Sequence, residues 1–184
     1  MRPPNLLNSE QAALLIVDVQ EKFRAHIHDF DSMVKNIVRL VDAFKILNVP
    51  IFVTEQYPKG LGKTVLEIQK SLTVHNTFEK TAFSCLGSSE FLNALGNAKR
   101  TQILVCGIEA HVCVNQTVHD LLAKEFKVHI VEDAISSRDL SNKEIALRRM
   151  ALSGAVPSST EMALLELVKD SASDSFKAVQ ALIR

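Results

Sequence analysis

The chain has 184 residues, with 21 Lys+Arg against 21 Asp+Glu for a formal net charge of zero, and 47% hydrophobic against 23% charged residues. These proportions are ordinary for a soluble globular domain and exclude collagen, wholesale disorder and a disulfide scaffold. The zero balance argues against nucleic-acid binding by bulk electrostatics, and no apolar run approaches the ~20 residues of a membrane span. The amino terminus lacks the apolar centre of a secretory signal. Cys85, Cys106 and Cys113 are an odd number without metal-like spacing, which fits free thiols in a reducing, cytoplasmic setting.

In chain order, short β-branched runs alternate with longer helical periods. Ala12 to Val19 is nearly all apolar, as a strand buried on both faces must be. From Asp31 to Asn48 the apolar Met33, Ile37, Leu40, Val41, Phe44 and Leu47 recur at steps of three and four, which predicts an amphipathic helix. Val49-Pro50 closes it, and Ile51 to Thr54 reads as the next strand. Glu55 to Lys63 is polar and punctuated by glycine and proline, so it reads as a loop. Helix follows over Thr64 to Leu72, strand over Asn76 to Lys80, and a helix capped by Ser88 or Ser89 runs to Asn97. Gln102 to Cys106 is a second fully apolar strand, ended by Gly107. A helix from His111 to Lys124 and a strand from Lys127 to Val131 come next. Helix from Asn142 to Ser153, strand at Ala155-Val156, and helices over Thr160 to Lys169 and Asp174 to Ile183 complete the pattern.

This alternation predicts an α/β fold: one Rossmann-like, three-layer α/β/α domain over residues 1–184, with a mostly parallel sheet of about six strands. Ligands of such sheets bind beyond the carboxyl ends of the strands. No glycine-rich phosphate loop follows the first strand, where the residues are Asp18-Val-Gln-Glu-Lys-Phe, so a dinucleotide site or P-loop fails at its usual place.

Three residues at strand ends stand out. Asp18 closes an apolar run, where a carboxylate is costly to bury unless paired; alternatively it marks the strand's solvent end. Lys80 ends the third strand, although a lone lysine is usually a solvated surface charge. Cys113 follows the fourth strand by one turn. At the start of a helix, backbone N–H groups would lower its pKa from about 8.5 toward a nucleophilic thiolate; free cysteine is otherwise commonly a small buried hydrophobe, which suits Cys106 better. Together the three suggest a mechanism: Asp18 takes a proton from Cys113, Lys80 holds the carboxylate, Cys113 attacks a carbonyl, and N–H groups of the Gly107 to Cys113 turn receive the oxyanion.

On these residues the sequence resembles the isochorismatase-like cysteine hydrolases, a superfamily that includes nicotinamidases and carbamoyl-sarcosine hydrolases. The likeness runs from Ala12 to Leu167. It rests on Val17-Asp18-Val19-Gln20 with Phe23, on Lys80 followed by Phe83 and Ser84, on Gly107 followed by Cys113, Val114 and Thr117, and on Asp133-Ala134. The resemblance implies a triad of Asp18, Lys80 and Cys113 acting through a thioester, and a cis peptide at Ile108-Glu109 with the N–H groups of Glu109 and Cys113 as oxyanion hole. It implies a small-molecule substrate and a homo-oligomer, without nucleic acid, membrane or cofactor. The apolar Phe176, Val179 and Leu182 of the terminal helix are a candidate subunit contact. Nicotinamidases carry an Asp/His metal cluster after the second strand; here that stretch is Thr54-Glu-Gln-Tyr-Pro-Lys-Gly-Leu-Gly, so no metal is expected. The same stretch looks most like the isochorismatase domain-containing proteins. Isochorismate hydrolysis needs no thiol, so a retained Cys113 points to C–N amide or related acyl chemistry. Gln20, Phe23, Gln56, Tyr57, Phe83 and His111 are expected to line the pocket, and Glu109 to bring a carboxylate near it. A binding or scaffolding protein on the same fold is the alternative, since fold does not fix function.

Overall fold

The computed structural model describes residue 3 and residues 5–72 and 76–184. The strands are β1 (Ala12–Val17), β2 (Ile51–Gln56), β3 (Asn76–Lys80), β4 (Gln102–Gly107), β5 (Lys127–Ile135) and β6 (Val156–Ser158). They form one sheet in the order β3-β2-β1-β4-β5-β6, with every pairing parallel. The helices are α1 (Phe30–Ile46), the single turn α2 (Pro58–Leu61), α3 (Leu66–Ser71), α4 (Ser89–Ala98), α5 (Asn115–Ala123), α6 (Leu140–Leu152), α7 (Thr160–Val168) and α8 (Phe176–Gln180).

The two fully apolar runs become the central pair. β1 and β4 align from Ala12 opposite Gln102 to Val17 opposite Gly107. Successive side chains of a strand point to opposite faces, so a continuous run feeds both layers. Ala12, Leu14 and Ile16 join one cluster with Ile37, Phe44 and Leu164 from α1 and α7. Ala13, Leu15 and Val17 join the other with Phe91, Val118 and Met150 from α4, α5 and α6. Each large side chain buried this way contributes roughly 1.5–3 kcal/mol. Phe52, Phe78 and Phe91 pack ring to ring at 5.7–6.2 Å, fixing the outer strands β2 and β3 against α4. Lys80 lies two residues beyond Phe78, so this cluster also seats the end of β3.

Several boundaries differ from the sequence reading for identifiable reasons. β1 stops at Val17 because Asp18 has φ 53. β2 continues to Gln56, so the expected loop begins as strand and then makes the turn α2. The helix expected from His111 starts as a π-helical turn, Ala110–Val114, before α5 takes over. The terminal helix is short, and its apolar face is already occupied. Val179 is fully buried, and the partly buried Phe176 and Leu182 pack on the same cluster as α1, so this segment serves the chain's own core first. Among the described residues no helix is long and apolar enough to cross a membrane. Strand order reverses between β1 and β4, and the carboxyl ends around that point hold the candidate site.

Candidate active site

The ends of β1 and β4 meet in a way that requires glycine. Gly107 has φ +112, and a Cβ there would lie 2.2 Å from the Val17 carbonyl oxygen. Without one, the Ile108 N–H donates to that carbonyl at 2.9 Å, and the chain leaving β4 turns over the end of β1. Asp18 follows Val17 in a left-handed conformation that aspartate visits more readily than most residues. It is 1% exposed.

A buried carboxylate needs partners, and Asp18 has one on each oxygen. Its Oδ2 accepts from the Lys80 ammonium at 2.6 Å and its Oδ1 from the Thr54 hydroxyl at 2.7 Å. Lys80 stands two strands away, roughly 10 Å by sheet spacing, so its stem crosses β2. That strand supplies the bridge: Thr54 is in register with Val17, and Gln56 with Lys80. Gln56 Oε1 accepts from Lys80 Nζ at 2.7 Å, and the Phe83 and Ala82 carbonyls stand at 3.0 and 3.2 Å. Burial works against the ammonium, but the Asp18 charge beside it outweighs that and holds the lysine pKa above its ordinary value.

Cys113 lies in the π-helical turn, is 7% exposed, and faces the same small cavity as Asp18. The structure reverses the expected sign of its pKa shift. Burial first, and the Asp18 charge second, push the thiol well above its ordinary value against the opposing pull of Lys80. The resting group is therefore a thiol, with the Asp18 carboxylate nearby. Cys85 lies behind Thr54, with Sγ 3.5 Å from Oγ1, and burial pushes its thiol up to about 11. Cys106, inside β4, is raised too by burial. The Ile108–Glu109 peptide is cis, and the Glu109 N–H donates to nothing among the described residues.

Beside the thiol is a cavity of about 140 Å³. Asp18 and Cys113 line it, with Phe23, Gln56 and Phe83 from the expected pocket set. Leu61, Ile108, Glu109 and Val112 complete the wall. The other expected pocket residues stand elsewhere. Gln20 is fully buried; its Nε2 donates to the Gln56 and Gly62 carbonyls at 3.0 and 2.6 Å, and its Oε1 accepts the Gln56 N–H at 2.8 Å. It ties the loop after β2 to β1. Tyr57 is 55% exposed and faces a separate groove with Lys59, Thr77 and Glu79. His111 pairs its Nδ1 with Ser137 Oγ at 3.0 Å. Two further motif residues serve nearby structure. Thr117 Oγ1 accepts the Cys85 N–H at 2.9 Å, and Asp133 Oδ1 accepts the N–H and hydroxyl of Thr160 at 2.8 and 3.0 Å, at the start of α7. Among the described residues no three of His, Cys, Asp and Glu converge to hold a metal ion.

The sequence reading did not single out Thr54, and a signal for it exists. Thr54 and Gln56 are polar at i and i+2 where an apolar strand ends, the spacing that puts both on one face. Leu61 carries no comparable signal, because its place depends on how the loop after β2 folds back.

Comparison with known proteins gives the chain a family. The chain matches the isochorismatase domain model over residues 12–162. It is 43% identical over 180 residues to the isochorismatase domain-containing protein 2 of Danio rerio, covering 96% of this chain and 89% of that one. It is 40% identical to the secreted isochorismatase effector Isc1 of Phytophthora sojae over 94% of this chain and 84% of that one. Among solved structures, that of the MAR1 ribonuclease from Caenorhabditis elegans superposes with a TM-score of 0.93 at 41% identity, covering 97% of this chain and 92% of that one. With a family match spanning all six strands and relatives of this identity aligned nearly end to end, the chain belongs to the isochorismatase domain family.

Proposed function

We propose that the chain is a metal-independent cysteine hydrolase that cleaves a small amide or related acyl C–N bond through a thioester on Cys113. Membership of a hydrolase-type family supports the class. The observation that carries the specific reaction is the row Cys113 thiol, Asp18 carboxylate, Lys80 ammonium beside a small cavity. In this reading the thiol proton passes to Asp18 as the sulfur attacks the carbonyl carbon. The carbonyl oxygen takes the negative charge and accepts from the N–H groups of Glu109 and Cys113. The C–N bond then breaks, the departing nitrogen takes the proton back from Asp18, and a thioester remains. Water, deprotonated by Asp18, cleaves the thioester to a carboxylic acid and restores the thiol. The raised thiol pKa suits this sequence, because proton transfer to a neighbouring base does not require a standing thiolate. A void of about 140 Å³ is close to the ~150 Å³ that holds benzene, so the acyl part is about six heavy atoms or fewer.

The test is turnover of a panel of small amides by the wild-type chain and by Cys113→Ala and Cys113→Ser. Removing the nucleophile should lower kcat by roughly 10⁴-fold or more and abolish an acyl-enzyme mass adduct on the Cys113 peptide. Undiminished hydrolysis by Cys113→Ala overturns the reading.

The ribonuclease name of the similar structure belongs to that protein. Here the zero net charge and one tyrosine without tryptophan leave little to bind or stack RNA, so RNA cleavage ranks behind a binding or scaffolding role, and Cys113-dependent, salt-sensitive degradation would be its signature. A binding or scaffolding role follows if the panel gives no turnover and no adduct. Three buried, unpaired thiols support a reducing, cytoplasmic compartment, although the Phytophthora sojae relative is named as secreted. Exposed Ile145, Leu152 and Met162 on α6 and α7 support a homo-oligomer.

A further inference from the structure

The two edges of the sheet are finished differently. At one edge, β6 is three residues long with Pro157 at its centre. Proline has no N–H to offer a further strand, and natural sheets close an edge this way. At the other edge, β3 is five residues long without a proline. Its lysine does not guard it, because Lys80 is buried against Asp18. One bond fixes the direction of the backbone groups: the Lys80 carbonyl accepts the Tyr57 N–H at 2.9 Å, so Lys80 faces β2. Backbone groups alternate in direction along a strand, so Phe78 also faces β2, while Thr77 and Glu79 turn their N–H and C=O groups outward. Among the described residues these outward groups have no partner. They border a groove of about 740 Å³, walled by Tyr57, Lys59 and the start of α4.

We propose that a second copy of the chain docks on this edge, the two β3 strands pairing antiparallel about a two-fold axis at Phe78. Charge and register select that occupant. With the axis at Phe78, Thr77 of each copy lies opposite Glu79 of the other, and each such pair exchanges both of its N–H···O=C bonds. The Thr77 hydroxyl meets a carboxylate, and the two glutamates stand on the diagonal, roughly 7–8 Å apart. An axis at Glu79 would set like charges face to face, which is destabilising. The edge is thus complementary to itself, as an isologous contact must be. The pairing gives the strand that carries Lys80 a neighbour on both sides. It is a separate contact from one through the exposed residues of α6 and α7, which pack beside β5 and β6 toward the opposite edge.

Thr77→Cys and Glu79→Cys, purified separately and then mixed under mild oxidation, test the register. A hydrogen-bonded antiparallel pair has Cα atoms about 5.5 Å apart, inside the disulfide range of about 4.4–6.8 Å. The mixture should give a cross-linked dimer whose peptide map joins position 77 to position 79. Neither variant alone should cross-link, since its two cysteines stand on the diagonal at roughly 7–8 Å. Amide hydrogen exchange on the wild-type chain checks the edge without substitution. At high chain concentration the Thr77 and Glu79 amides should exchange as slowly as those of Phe78 and Lys80. A mixture without the 77–79 cross-link, or fast exchange at the two outward amides, overturns the proposal. A dimer built on α6 and α7 alone, or an edge reserved for an extended segment of another protein, gives that fast exchange. Neither measurement needs turnover, so their failure leaves the hydrolase reading standing.

Discussion

Two buried polar groups sit in the same sheet on opposite terms. At the carboxyl ends of β1 and β3, Asp18 and Lys80 are 1% and 5% exposed, charged, and answered by partners from three strands. In the middle of β5, His129 is 1% exposed, and neither ring nitrogen has a hydrogen-bond partner among the described residues. The interior accepts each by a different route. The ion pair keeps its charges because each stabilises the other, whereas burial alone drives the His129 pKa down to about 4 and leaves the ring neutral. A charge maintained inside a protein depends on its partners; a histidine without partners stays inside by giving the charge up. The contrast is one of charge against volume: the strand ends keep a charged pair, while the middle of β5 keeps a neutral ring.

Removing one member of the pair should have the largest effect. Lys80→Met leaves the Asp18 carboxylate buried and uncompensated, which should cost about 3–5 kcal/mol of unfolding free energy. The double variant Asp18→Asn/Lys80→Met should recover much of that loss while remaining inactive. Urea denaturation of the two variants checks both. A loss below about 1 kcal/mol for Lys80→Met would place the pair with exposed bridges such as Arg24–Glu21 and dissolve the comparison.

The second prediction concerns His129 and pH. Its folded pKa, about 4, lies below the ordinary 6.5, so as pH falls the unfolded chain binds the proton first. The stability this residue contributes is fully present above about pH 6.5 and is lost as pH drops toward 4. Two and a half units correspond to roughly 3 kcal/mol. His129→Leu should therefore reduce the loss of stability between pH 7 and pH 4 by about that amount, measured by urea midpoints at both values. Equal losses in variant and wild type would show that His129 is already partnered or hydrated.

How much of this was legible in the sequence follows from what sets each feature. The central strands β1 and β4 were readable because burial on both faces imposes a continuous apolar run, and Asp18, Lys80 and Cys113 stood out because each lies at or just past the carboxyl end of a strand in one parallel sheet. The pocket was only half readable. Phe23, Gln56 and Phe83 line the cavity, but Tyr57 and His111 are turned to other partners, since nearness in sequence to a catalytic motif does not fix side-chain direction. The thiol pKa took the opposite sign because a helix start was weighed without the burial, and then the Asp18 charge, that tertiary structure adds. Thr54 went unnoticed because its role exists only once β2 lies between β1 and β3.

Thr54 supplies the smallest and sharpest test of that last point. Its hydroxyl donates to Asp18 Oδ1 at 2.7 Å from a fully buried position, while Lys80 holds the other oxygen. Thr54→Val keeps the shape and the strand-forming branch but withdraws the donor from a buried carboxylate, at a cost of roughly 1–3 kcal/mol. Asp18 then keeps the ammonium yet loses the contact that fixes its rotation, so proton transfer from Cys113 should suffer more than binding. On a substrate identified by the amide panel, kcat should fall about tenfold with KM little changed. Thr54→Ser restores the donor while giving up a methyl group, and should recover most of kcat even if part of the stability loss persists. That split separates two roles for a residue between the charged strands. If Thr54→Val and Thr54→Ser lose kcat equally, Thr54 acts by filling space, as His129 does; if only the valine variant loses it, the hydroxyl belongs to the working end of the sheet.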